Sequence, residues 1–275
     1  MSKKILLTGG TGFVGTKVLS SLINMGFSIR LVIRAEKIQK FDSKKGIESI
    51  FITQDLFKED SKWFCDVCKD IDTVIHVAWY AEPGEYLNSA KNIDCLIGTL
   101  QLAKGAAMAG VKKFIGIGTC LEYDLTSGFL SIDTPLKPLT PYAGAKAAAF
   151  NALSNWLPIN GVKFNWCRLF YLYGDGEDNR RLVAYIRSRL EIGKTAELSS
   201  GTKIRDYLEI TEAGNLIANV VENNIQGAIN ICSGIPITLR ELAEKIADEY
   251  NRRDLLKFEK IKESMTDVQC IVGIK

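Results

Sequence analysis

Apolar residues fall along this chain in short runs, separated by stretches with the spacing of a helix face. Strands are predicted over residues 3–7, 28–33, 47–52, 72–77, 114–118 and 162–169. The 72–77 run is almost wholly apolar, as in a strand buried on both sides. An amphipathic helix follows the first strand to about residue 25. A long helix is predicted over 85–109, closed by Gly110 and the basic pair Lys112–Lys113. Another starts at Pro141 with Thr140 as its N-cap, runs through Ala-rich sequence to about residue 157, and is stopped by Pro158. Five strand–helix alternations predict a doubly wound parallel sheet of the α/β class. After Tyr173 the texture changes: a loop at 174–179, helices over 181–192 and from 211, and short strands at 205–210 and 228–231. The capping box Thr238–Glu241 opens a last helix to about residue 250. The predicted division is a main domain over 1–170 and a smaller lobe over 171–275, with part of 205–231 able to return to the main domain.

Composition narrows the class. At 275 residues with 47% hydrophobic residues the chain can bury a large core, and a net charge of +3 is too mild to argue for a nucleic-acid or membrane surface. No apolar run is long enough to span a bilayer, and the N-terminal residues carry no secretory segment, so a cytoplasmic protein is expected. The seven cysteines are odd in number and scattered, which reads as free thiols. Cys65 and Cys68 have metal-like spacing, but there is no second such pair and His76 is the single histidine, so no metal site is expected.

Candidate chemistry sits at the strand ends. Gly9, Gly12 and Gly15 come between the first strand and its helix, a spacing that lets the backbone approach a pyrophosphate at a helix N-terminus. The second strand ends in Arg34, with Lys37 near and no acid at the strand end, and a guanidinium suits a ribose 2′-phosphate. Asp55 can reach an adenine edge or cap the turn after it. Ala78 leaves room for a ligand, and His76 fits the core as well as a site. Thr119 emerges from the C-terminal end of the fifth strand, where open α/β sheets bind ligands. Tyr142 and Lys146 lie one turn apart on one helix face. A charge about 4 Å from a phenol is worth roughly 3 pKa units at an effective dielectric near 20, enough to bring it toward neutrality.

These stretches together resemble the extended short-chain dehydrogenases/reductases, in the branch acting on nucleotide sugars, and among them the nucleotide-4-keto-6-deoxy-sugar reductases most. The matching motifs are the octapeptide from Thr8 to Gly15, His76-Val77-Ala78, Asn92, Thr119 with Tyr142 and Lys146, the heptapeptide from Arg168 to Gly174, and Arg205-Asp206-Tyr207-Leu208. The resemblance implies a Rossmann fold whose lobe binds substrate. It implies that Tyr142 exchanges a proton with a sugar oxygen, Lys146 holds the nicotinamide ribose and lowers the phenol pKa, Thr119 bonds the same oxygen, and Asn92 supports the site. NADP(H) would be held by Gly9, Thr11, Gly12, Phe13, Val14, Gly15, Arg34, Asp55, Leu56, Val77, Ala78 and Trp79, with Tyr142 and Lys146. A nucleotide-diphosphate sugar would meet Thr119, Cys120, Tyr142, Tyr171, Asn179 and Arg205, the last at its diphosphate. A homodimer is expected.

Three departures from the family pattern bear on function. The sugar 4,6-dehydratases carry Asp-Glu directly after the catalytic Thr, where this chain has Cys120-Leu121. Many relatives have Asn in place of Tyr171. Relatives also continue past residue 275 with a further helical stretch, so part of the substrate lobe is expected to be missing or replaced. The expected reaction is NADPH-dependent reduction of the 4-keto group of a nucleotide-linked 4-keto-6-deoxyhexose. An NAD-dependent 4-epimerase and a non-catalytic NADP(H)-sensing protein are the alternatives.

Overall fold

The computed structural model describes residues 3–40, 46–261 and 268–275, with 39 and 40 as backbone only. In chain order the elements are β1 (Lys4–Thr8), α1 (Phe13–Asn24), β2 (Ser28–Ile33), β3 (Ile47–Ile52), α2 (Ser61–Val67), β4 (Thr73–His76), α3 (Lys91–Met108) and β5 (Lys113–Thr119). There follow β6 (Phe129–Leu130), α4 (Pro141–Ile159), β7 (Lys163–Leu169), β8 (Tyr171–Tyr173), α5 (Leu182–Glu191), β9 (Ala196–Glu197) and β10 (Ile204–Glu209). The last are α6 (Ile210–Asn219), β11 (Gly227–Ile231), β12 (Pro236–Thr238), α7 (Leu239–Glu249), β13 (Leu256–Lys257) and β14 (Cys270–Gly273).

Seven strands form one sheet in the order β11-β7-β5-β4-β1-β2-β3, every pair parallel. The order reverses between β1 and β4, which opens a crevice at their C-terminal ends. Alternate residues of β1 feed opposite layers. Ile5 and Leu7 pack with Val18 and Leu22 of α1 and Ile217 of α6, while Leu6 packs with Phe64 of α2, Leu102 of α3 and Leu153 of α4. Both faces of the sheet are covered at its centre, which is why β1 and β4 read as nearly unbroken apolar runs.

The predicted strands match this sheet to within about a residue, and two helix ends differ. The 85–109 helix begins at Lys91. Ahead of it the Glu82 carbonyl accepts from Glu85 and Tyr86 in an isolated turn, and Gly84 takes φ +86°, which breaks helical geometry. Pro158 does not stop α4, which runs to Ile159 and closes at Asn160. A proline in the final turn gives up one hydrogen bond of a ladder that is ending anyway.

Five of the other strands form a second sheet, in which β10 pairs with β8, β12 and β14, and β14 carries β6, while β9 and β13 pair with each other. Beside it α5, α7, β9 and β13 close on a separate apolar cluster that includes Ile186, Leu190, Leu242 and Ile246. Between these pieces the chain revisits the large sheet, where α6 packs on α1 and β11 pairs with β7. The C-terminal segment is anchored by buried polar groups. Asp206 Oδ2 accepts from the Gly273 N–H at 3.1 Å, and Asn230 Nδ2 donates to the carbonyls of Leu130 and Ile274 at 2.8 and 2.9 Å. Among the described residues no helix is long and apolar enough to cross a membrane, and no group of three His, Cys, Asp or Glu could hold a metal ion.

Candidate active site

The glycine loop closes on β4. Gly9 has φ +75°, and a Cβ there would lie 2.5 Å from the Ala78 nitrogen, so only glycine lets β1 turn this close to the neighbouring strand end. The Gly12 N–H donates to the Gly9 carbonyl at 3.1 Å, and a Cβ on Gly15 would lie 2.0 Å from that same oxygen. Gly12 is the N-cap of α1, with no side-chain cap and no acid in the first turn. Among the described residues the amides of Phe13 and Val14 and the positive end of the helix dipole have no anionic partner, which fits a dinucleotide pyrophosphate. Thr11 and Phe13 flank the loop, and the Arg181 guanidinium stands 5.9 Å from the Phe13 ring.

Arg34 follows β2 with an exposed side chain and pairs with Glu36 at 3.3 Å. Sequence reasoning passed over Glu36, which was legible two residues beyond the arginine. Asp55 accepts from the Phe57 N–H at 3.1 Å and so caps the short turn over Leu56–Lys58, the second of its two readings. His76 is a core residue. Its Nδ1 lies 2.7 Å from Thr8 Oγ1 and its Nε2 2.9 Å from Thr99 Oγ1, and burial, followed by the Lys146 charge, holds its pKa down at about 3.

The reactive groups converge between β5 and α4. Thr119 ends β5 and caps the turn over Cys120–Glu122. Its N–H donates to Glu122 Oε1 at 2.7 Å, and its hydroxyl accepts from the Leu121 N–H. Glu122 is fully buried, accepts from Arg168 Nε at 2.8 Å, and accepts from the Trp166 indole. Gly116 and Gly118 make room for that indole, since a Cβ on either would lie within 2.3 Å of it. Glu122 was the main omission of the sequence reading, although the spacing Thr119-x-x-Glu122 is that of a capping box. The Cys120 thiol is buried and pushed up to about 12 by that burial, so it stays protonated at neutral pH and supplies no base.

Tyr142 occupies the first turn of α4, whose N-cap Thr140 accepts from the Ala143 N–H at 3.2 Å. Rings of Tyr86 and Trp79 meet Tyr142 edge-on, with centroids at 4.8 and 6.4 Å. Lys146 is buried; its Nζ donates to the Ile117 carbonyl at 2.6 Å and sits 3.7 Å over the Trp79 ring. This corrects one expectation. The two residues share a helix face, but the lysine Nζ bonds the Ile117 carbonyl, 6.0 Å from the Tyr142 ring centroid, and the phenol is raised and not brought toward neutrality. Burial, followed by Tyr86, pushes the Tyr142 phenol up from its ordinary value, with an interaction from Thr119 pulling weakly the other way. Burial likewise takes Lys146 down to about 7, against Glu122 and Cys95. Asn92 touches neither. It accepts from Trp79 Nε1 at 2.9 Å and donates to the carbonyls of Tyr86 and Ser89, so it braces the rings around Tyr142.

The proposed substrate contacts are scattered. Arg205 is 3% exposed and donates to the carbonyls of Ile204, Val268 and Gln269. The structure thus places it beneath the C-terminal segment and not in the open cleft, an outcome set by residues distant in sequence. Tyr171 stacks beside Tyr207, with centroids at 5.5 Å, and near the Arg205 guanidinium. Asn179 is exposed in the loop before α5, next to Arg180, which pairs with Glu82 at 2.6 Å and with Asp178. A cavity of about 360 Å³ opens beside this loop, lined among others by Arg180, Leu182, Tyr185, Leu198, Leu239 and Phe258.

Comparison with known proteins agrees with this geometry. Residues 5–232 match the NAD dependent epimerase/dehydratase family. A dTDP-6-deoxy-L-talose 4-dehydrogenase (NAD(+)) of Aggregatibacter actinomycetemcomitans is 25% identical over 274 residues, covering 98% of this chain and 99% of the relative. A human dTDP-D-glucose 4,6-dehydratase is 25% identical, covering 89% and 73%. Among solved structures, a UDP-N-acetylglucosamine 4-epimerase from Methanobrevibacter ruminantium superposes with a TM-score of 0.84 at 22% identity, covering 99% of this chain and 89% of that one. A dTDP-glucose 4,6-dehydratase from Streptomyces venezuelae gives 0.82 at 20%, covering 98% and 88%. The glycine loop on β1, the Thr119–Tyr142–Lys146 cluster and the family match over residues 5–232 agree, and the chain belongs to the NAD dependent epimerase/dehydratase family, the sugar-nucleotide branch of the extended short-chain dehydrogenases/reductases.

Proposed function

We propose that the protein is an NADP(H)-dependent reductase of the 4-keto group of a nucleotide-linked 4-keto-6-deoxyhexose. The observation that carries this reading is a site equipped for one proton exchange and no more. Thr119, Tyr142 and Lys146 converge, while the acid and base that a dehydration would need are replaced by buried Cys120 and by Leu121, and Glu122 is spent on Arg168. The glycine loop and Arg34 would hold the dinucleotide, which when bound would supply the hydride. Thr119 and Tyr142 hold the sugar C4 oxygen, and Tyr142 gives it a proton. A phenol raised by burial is fully protonated at neutral pH, the form a reduction consumes. A charged Lys146 steadies the phenolate left behind. The aromatic and aliphatic walls of the neighbouring cavity suit a flat base. The dTDP-6-deoxy-L-talose 4-dehydrogenase supports the reading, since oxidation and reduction at one sugar carbon are the same reaction run in opposite directions.

Glu36 favours a second reading. A carboxylate beyond β2 can take the ribose hydroxyls of NAD, and tightly held NAD suits a 4-epimerase. The two separate in an assay at 340 nm against nucleotide-linked 4-keto-6-deoxy sugars, with NADPH and NADH in turn. Stoichiometric oxidation of NADPH supports the reductase. Interconversion of C4 epimers with no net cofactor oxidation overturns it.

A further inference from the structure

Lys146 is held in an unusual way for a charged group. It is 3% exposed, and among the described residues its one hydrogen-bond acceptor is the Ile117 carbonyl. Its remaining polar face meets rings, Trp79 at 3.7 Å and Trp166 at 5.7 Å. Trp79 is itself fixed. Its Nε1 donates to Asn92 Oδ1, and the Asn92 amide cannot turn over, because its Nδ2 already donates to two carbonyls, those of Tyr86 at 2.6 Å and Ser89 at 2.9 Å. The same indole stands edge-on to Tyr142, so it touches both members of the pair.

We propose that Trp79, locked by Asn92, is a positioning residue whose indole face keeps Lys146 in place and charged beside Tyr142. Other groups facing Lys146 do this poorly. Glu122, from the turn after β5, favours the charged amine but shares its own charge with Arg168; Cys95 of α3 is a thiol pushed up to about 11; His76 of β4 is neutral; and Tyr142 of α4 is protonated. Against them stands burial, which favours the uncharged amine. A cation over an indole in a desolvated site gains more than at a surface, and tryptophan is the ring that serves best. Asn92 then acts on the reaction two contacts away, through Trp79.

The inference rests on Tyr142 and Lys146 being the acid–base pair, but its test needs no substrate and stands apart from the reaction proposed above. Protein labelled with ¹³C at lysine Cε is titrated by NMR, and the Lys146 signal is identified by its loss in Lys146→Met. In Trp79→Leu the Lys146 midpoint should fall by about one pH unit, and in Trp79→Phe it should stay nearer the wild type. Fluorinated tryptophan incorporated into the unmutated chain weakens the ring potential without risk to the fold and should lower the midpoint with each added fluorine. An unchanged midpoint in the fluorinated series, or one that rises in Trp79→Leu as water enters, would overturn the proposal and leave the indole as a mere cover.

Discussion

At the scale of single residues, burial is the largest influence on Tyr142, Lys146 and Cys120 at the candidate site. Tyr142 is kept protonated, and Tyr142→Phe removes one hydroxyl with little change in packing. Turnover should fall by roughly 10² to 10⁴ while cofactor binding, measured by fluorescence titration, stays near the wild type. A Phe variant retaining more than about a third of the turnover would place the proton elsewhere. Glu122 serves the opposite end, since it joins Thr119, Trp166 and Arg168 in one buried cluster. Glu122→Ala strands the Arg168 charge, and urea unfolding should show a loss of about 3–5 kcal/mol. At Arg34 the choice of cofactor is in question: Arg34→Ala should weaken NADPH far more than NADH, and equal losses would assign that role to Glu36 instead.

At the scale of elements, the sheet and its helices were legible because the central strands β1, β4 and β5 are buried almost throughout and α4 and α7 open on side-chain caps. The capping box at Thr238 and Glu241 appears as read, with both reciprocal hydrogen bonds. What stayed illegible is short or distant. Strands β6, β9 and β13 have two residues each, too few for a period, and β14 exists only because β10 and β6 accept it. Arg205 shows the consequence: its residue type and motif suited a diphosphate, but its surroundings are decided by a segment some 60 residues later. Tyr142 and Lys146 show another, because helical spacing sets which face they share but not which way a long side chain turns. The core strand β4 also carries a pH signature. His76 has a pKa near 6.5 in an unfolded chain and about 3 here. Between those values the unfolded chain binds a proton that the folded one does not, so stability rises with pH across that window, by about 1.4 kcal/mol per pH unit, and is flat in this respect above it. Unfolding of His76→Gln, followed from pH 4 to 7, should show a slope shallower by that amount.

At the scale of the whole molecule, the glycine loop and Thr119 both lie at the C-terminal edge of the large parallel sheet, after β1 and at the end of β5. Family membership alone admits reductases, epimerases and dehydratases, and the proposed reductase departs from the last of these at Cys120 and Leu121. With Cys120 and Leu121 after Thr119, no 4-keto-6-deoxy product should form from dTDP-glucose or another intact nucleotide hexose, whichever cofactor is added. The central claim is net hydride delivery to sugar C4, and isotope transfer tests it most directly. NADPH carrying deuterium at nicotinamide C4 is incubated with the protein and a nucleotide-linked 4-keto-6-deoxy sugar, and the product is read by NMR and mass spectrometry. The account predicts deuterium at sugar C4, one per NADP⁺ formed, and a 4-hydroxy product. A sugar whose C4 inverts with no label, while the NADPH stays intact, would contradict it.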